Sequence, residues 1–425
     1  MKWQFWRWRP KVSLCTFQIL ALFIGSLVLV YQRSTPWRAG LTLKGSTYGV
    51  SSVSFSGDSK KLLAGGSDGF ARVWDVDSGT ASTTIDLVHP VRSSEMETAL
   101  GPSPKTVDES IPRRITASDF ARDGSKIVAV DDGGMLSVFD ANKGVMILNQ
   151  ALSTTVASVR FSADSDKIVA ADPASPVSRF GGMVYIIESI SVFYNTEHIE
   201  VPSDALCSAF FSKDGNKIVT ATTDGLVQVW NRKNTAPLAA LRGDTQFFRS
   251  AVFSPDGKFI ATSGKDCTVR LWTAYSGEVS RSIIDFDNAA AAPSANVGHT
   301  WFAKPMAVMR GHNQYVLASQ FSPEGDRLAT LSLDGSVRIW GGRDGAALFT
   351  LTEKGSWRSL AFAPDGKSLA LAGNDGTVQL WNLRCSERWY GKLTLPEFWV
   401  MILLIPALIW SLRRDQRIIP PTPVV

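Results

Sequence analysis

"SLDGSVRIWG", Ser332 to Gly341, reads as a tight hairpin: a Ser-Leu-Asp-Gly turn, then a short strand that closes on Trp340. Asp-Gly favours the turn, and along the strand Val337 and Ile339 fall on one face, Arg338 and Trp340 on the other. The same frame returns as "GSDGFARVWD" from Gly66, "TTDGLVQVWN" from Thr222, "GKDCTVRLWT" from Gly264 and "GNDGTVQLWN" from Gly373. Two looser copies, "GGMLSVFD" from Gly133 and "GGMVYIIE" from Gly181, put Phe139 and Ile187 where the others carry tryptophan. Repetition on this scale is an architectural statement before it is a chemical one.

A second frame runs ahead of the first. It reads "FSGDSKKLLA", "FARDGSKIVA", "FSADSDKIVA", "FSKDGNKIVT", "FSPDGKFIAT", "FSPEGDRLAT" and "FAPDGKSLAL", from Phe55, Phe120, Phe161, Phe211, Phe253, Phe321 and Phe362. Each copy is a strand ending in Phe, a polar turn, and an apolar strand rich in residues that suit a sheet. The steps between these phenylalanines are 65, 41, 50, 42, 68 and 41 residues, so the unit is 41 long and three copies carry insertions. Four short strands in about 40 to 45 residues is the period of a propeller blade.

On these two frames the chain from Leu41 to Asn382 resembles a seven-bladed WD-repeat propeller. The resemblance implies an all-β fold in which each blade covers its neighbours' faces. It also implies closure by an N-terminal strand: "AGLTLKGS", Ala39 to Ser46, should pair through Leu41 to Lys44 beside Thr377 to Trp381. A hydrogen-bonded tetrad of His, Ser/Thr, Asp and Trp belongs to the same family pattern. Carried over, it is complete here as His312, Ser332, Asp334 and Trp340, and other blades hold part of it. Trp74-Asp75 is the single literal Trp-Asp pair among the repeats.

The ends have a different character. Residues 12–31, "VSLCTFQILALFIGSLVLVY", carry no charge, and residues 393–412 carry one acid at their edge. Spans of about 20 apolar residues match a bilayer core, so a transmembrane helix is expected at each end of the propeller. The expected order is a basic, Trp-rich tail (1–11), a span (12–31), the propeller (41–383), a span (393–412) and a basic, then Pro-rich tail (413–425). The stretch after the first span, "QRSTPWRAG", offers no clean cleavage site, which favours an uncleaved anchor. Four bases precede the first span and two follow it soon after. That bias points to termini in the cytoplasm and a propeller on the far side, a bacterial periplasm given that no Asn-x-Ser/Thr sequon exists; a cytosolic propeller is the alternative. Linkers of nine (32–40) and eleven residues (382–392) would reach no more than about 30 to 40 Å.

Charge and motif content narrow the function classes. Residues 1–44 carry +7 and residues 384–425 carry +3, so the net charge of +5 leaves −5 on the propeller. A mildly acidic body argues against nucleic-acid binding. The four cysteines, Cys15, Cys207, Cys267 and Cys385, form no paired ligand spacing, and the histidines are scattered. "GGSDG", Gly65–Gly69, satisfies the letters of a hydrolase elbow but sits in a repeated hairpin turn, not a strand-to-helix turn. The reading is therefore non-enzymatic, with no cofactor or small-molecule substrate: a membrane-tethered scaffold for a protein partner. A regulatory or catalytic propeller, such as a membrane-bound exchange factor for a small GTPase, is the second reading.

Where a partner would dock follows from the period. Ahead of each marker Phe the chain enters a blade's inner strand near the channel mouth. Tyr48, Arg113, Arg114, Phe247 and Tyr315 lie at those places, the residue types enriched in contact surfaces. The three insertions, Asp86–Arg114, Asp172–Gly182 and Asp285–Pro305, add a further candidate pair, Trp301-Phe302.

Overall fold

In the computed structural model, residues 38–383 are described except 88–89, 91–112, 153–155, 174–181, 190–195, 204–205, 243–246, 275–304 and 353–354. The chain divides into two compact units. One is Ala39–Trp381; the other, Met1–Arg38 with Asn382–Val425, lies almost wholly outside the described residues, and so do the expected spans at 12–31 and 393–412. Among the described residues no helix is long and apolar enough to cross a membrane.

Ala39–Trp381 builds seven antiparallel four-stranded sheets. Blade one shows the pattern: an inner strand Val50–Phe55, then Lys61–Gly66, Phe70–Asp75 and an outer strand Ala81–Asp86. The turn after each inner strand is set by its own polar residues. In blade five Ser254 donates to Asp256 at 2.6 Å and accepts the Phe259 N–H at 2.9 Å, while Gly257 takes a φ of 68°. Ser59 and Ser165 stand at the matching place in blades one and three and adopt the same left-handed backbone.

Closure is as the resemblance implies. Arg38–Lys44 is the outer strand of blade seven, beside Thr377–Asn382, with the Gly45 N–H donating to the Gly376 carbonyl at 2.7 Å. Leu43 is buried there against Val378 and Leu380. No blade could bury both faces alone, and the packing shows the solution. In blade four Trp230 reaches back to Val169 and Ile186 of blade three, while Val227 and Val229 reach forward to Phe248 and Trp272 of blade five. Blades two and three are packed just as fully, with Phe139 and Ile187 buried in place of tryptophan.

Inner strands are also joined around the channel. A polar side chain of one blade accepts a backbone N–H of the next: Ser54 from Phe120 (3.3 Å), Asp119 from Phe161 (2.8 Å), Gln320 from Phe362 (2.9 Å), and finally Ser359 from Val53 (3.4 Å). These four bonds point the same way round the ring, whereas at the Phe-led turns Asp123 N–H to Ser165 and Asp365 N–H to Ser59 run the other way.

The ring has two faces. On the entry face the chain enters each inner strand, and the turns between second and third strands lie there. On the turn face lie the Phe-led turns. Ala39 and Trp381 both lie on the turn face at one seam, where a Cβ placed on Gly40 would meet the Leu380 carbonyl at 3.6 Å.

Candidate interaction site

The entry face is built by clamping each inner-strand approach to a neighbouring turn. The Gly49 carbonyl accepts from Ser67, that of Arg114 from Asp132, that of Phe247 from Lys265, and that of Tyr315 from Leu333. A backbone held by its carbonyl leaves its side chain free to project. Tyr48, Phe247 and Tyr315 are 74%, 42% and 47% exposed.

Phe247 is the most constrained of them. It sits at a φ of 85°, which a bulky side chain rarely adopts, and Gly264 opposite has no room for a Cβ, which would fall 2.5 Å from the Phe247 carbonyl. Lys265 Nζ lies 4.7 Å from the Phe247 ring centre and 5.9 Å from that of Tyr315. Two aromatic faces thus share one cation, with Leu333 also exposed at 49% in the blade-six turn.

The expected residues divide accordingly. Phe247 and Tyr315 come together on blades five and six. Tyr48 stands on blade one, and Arg113 and Arg114 on blade two. Arg113 is partly spent, paired with buried Asp131 at 3.0 Å, whereas Arg114 is exposed. Trp301 and Phe302 lie outside the described residues. Their segment joins Val269–Thr273 to the short outer strand Ala307–Met309, so both of its ends lie on the turn face, opposite the other candidates. Lys265 and Leu333 were missed by sequence reasoning. Their signal was that the turn position they share is otherwise Ser67, Asp132, Phe180, Thr223 or Asn374, so it varies where the rest of the hairpin repeats.

The expected tetrad exists with one member corrected. The hydroxyl between His312 and Trp340 belongs to Thr330: Trp340 Nε1 donates to Thr330 Oγ1 at 2.8 Å, and His312 Nε2 is 2.8 Å from the same oxygen. Ser332 instead donates to the Gln314 carbonyl at 3.0 Å and accepts the Asp334 N–H. The pleat explains this. Leu328 faces Trp340 across the sheet, and the next residue on that side is Thr330; Ser332 is a further step away, at the turn.

Charge completes the assignment. Burial pushes the His312 imidazole down, only partly opposed by Asp334. Burial also works against the Asp334 carboxylate, but hydrogen bonds from Ser336 and from the Asn313 N–H outweigh it and hold its pKa at about 2. An ionised Asp334 can only accept, so neutral His312 donates from Nδ1 (3.2 Å) and accepts from Thr330 at Nε2. Blades four and five keep the Trp–Thr half, Trp230 to Thr220 at 3.0 Å and Trp272 to Thr262 at 2.9 Å. Blades one and five restrain the turn acid with an arginine instead, Arg72–Asp68 at 2.9 Å and Arg270–Asp266 at 2.7 Å. In blade seven Leu371 stands where the threonine would, and Trp381 Nε1 is buried without a partner among the described residues.

The family model for the WD domain, G-beta repeat, matches residues 37–75, 192–231, 235–273, 303–341 and 345–382. Each match ends one residue past a tryptophan of the hairpin frame; the frames ending in Phe139 and Ile187 lie outside them. With seven closed blades, five of these repeats and the tetrad of blade six, the chain carries WD repeats on a seven-bladed β-propeller, a fold that typically serves as a protein-interaction scaffold.

Proposed function

We propose that this protein is a membrane-tethered scaffold that holds a protein partner on the entry face of its propeller. The observation that carries the reading is the Phe247–Lys265–Tyr315 cluster: exposed aromatics around a shared cation, one on a strained backbone kept by its surroundings. Tyr48 and Arg114 extend the same face, and Trp301 and Phe302 would contribute only from the insertion rooted on the other side. The apolar stretches at 12–31 and 393–412 support the tether, and the entry face is the one from which neither end of the propeller departs.

The test substitutes Phe247→Asp and Tyr315→Asp in the full chain and measures capture of the partner identified by proximity labelling. At least a tenfold loss is expected with an unchanged melting temperature; undiminished capture rejects the site. The basic N-terminal tail supports a cytoplasmic placement of the ends, with the propeller on the periplasmic side. In spheroplasts, protease should remove a tag inserted within residues 91–112 and spare one appended at Val425. The reverse pattern would put the propeller in the cytosol.

A further inference from the structure

The channel opens on the turn face into a cavity of about 400 Å³ to which all seven blades contribute. That volume is within the range of small-molecule sites. Its charged lining is unbalanced: Arg122, Arg160 and Lys213 against Asp119 alone. Asp119 is already committed, accepting from Ser54 Oγ at 2.7 Å and from the Phe161 N–H at 2.8 Å. Arg160 is not. Its Nη1 donates to the Val159 carbonyl at 3.0 Å and the Ser118 carbonyl at 3.5 Å, and no carboxylate pairs with it among the described residues. Its guanidinium lies over the Phe210 ring at 5.1 Å, leaving Nε and Nη2 without a partner among the described residues.

A second donor stands three blades away around the ring. Gln320 uses its Oε1 to accept the Phe362 N–H, and its Nε2 has no partner among the described residues. Half-buried phenyl rings of Phe210, Phe211 and Phe253 supply apolar wall. The lining thus offers donors and aromatic surface, while its one acceptor of charge is spent. A guanidinium fork on an aromatic face matches a carboxylate attached to an apolar body.

We propose that this cavity binds a small monocarboxylate with an apolar body, its carboxylate on Arg160 and its body against Phe210 and its neighbours. The chemistry would be shared by a free acid and by the C-terminus of a peptide. Isothermal titration of the full chain in detergent therefore uses benzoate for the first, N-acetylphenylalanine for the second, and benzamide as the neutral control. At least one acid should bind, and benzamide or an Arg160→Gln variant should lower affinity about tenfold or more, as loss of a charge-assisted bond does. Because Nη1 also ties two inner strands, Arg160→Gln could unfold the ring; the benzoate and benzamide comparison on the unaltered protein then decides alone. Absence of binding by both acids, benzamide binding as tightly as benzoate, or a folded Arg160→Gln variant of full affinity would overturn the proposal.

Discussion

A tryptophan on the third strand of a blade is stable only if its indole N–H finds an acceptor, and the blades meet that need unequally. Thr330 relays Trp340 to His312, so Thr330→Val should leave two buried polar groups unpartnered and destabilise the protein by about 1–3 kcal/mol in a denaturant titration. Trp381 offers the contrast. Its N–H has no partner among the described residues, so Trp381→Phe should cost less than Trp340→Phe by about 1 kcal/mol. Acid should act on the same blade. His312 is held below its ordinary 6.5, so the unfolded chain takes up its proton first and stability falls as pH drops below 6.5. Asp334, ordinarily 3.8 but about 2 here, adds stability above 3.8 that is lost as pH falls toward 2. His312→Gln should flatten the upper part of the melting-temperature profile and Asp334→Asn the lower; unchanged profiles would remove the assignment. Ser332 was the expectation carried over from the family's Ser/Thr position. The legible clue was elsewhere: threonine recurs ten residues before the tryptophan in blades four, five and six, as Thr220, Thr262 and Thr330.

At the scale of the element, two recurring hairpins were enough to place every inner, second and third strand, because a Phe-led turn and a Trp-ended strand each define a register. Outer strands were less legible. That of blade five is three residues, Ala307–Met309, too short for a periodic pattern, so the face from which residues 275–304 depart could not be read beforehand. The closing strand was legible through the family resemblance, because "AGLTLKGS" precedes the first inner strand as an outer strand should. Its role gives a sharp expectation. Leu43→Ala should cost about 2–4 kcal/mol, as for other buried leucines, and Leu43→Asp more. Removing residues 38–44 should also expose the edge of Thr377–Asn382, whose amides would then lose protection in hydrogen exchange. Protection that survives the deletion would mean that another segment completes blade seven.

For the whole molecule, the repeat explains the ring but not its use. The residues proposed for partner contact fall where the period allows variation, at the approaches and turns of the entry face. A contact between blades, such as that of Lys265 with Tyr315, depends on curvature that no single repeat encodes. The claim that this face receives the partner is tested most directly by site-specific photo-crosslinking in native membranes. A photoreactive residue placed at Tyr48, Phe247 or Tyr315 on the entry face, and at Lys213 or Asp365 on the turn face, samples both sides of one ring. One protein should be trapped from Phe247 and Tyr315, and far less of it from Lys213 and Asp365. Equal trapping from both faces, or trapping from the turn face alone, would contradict that claim.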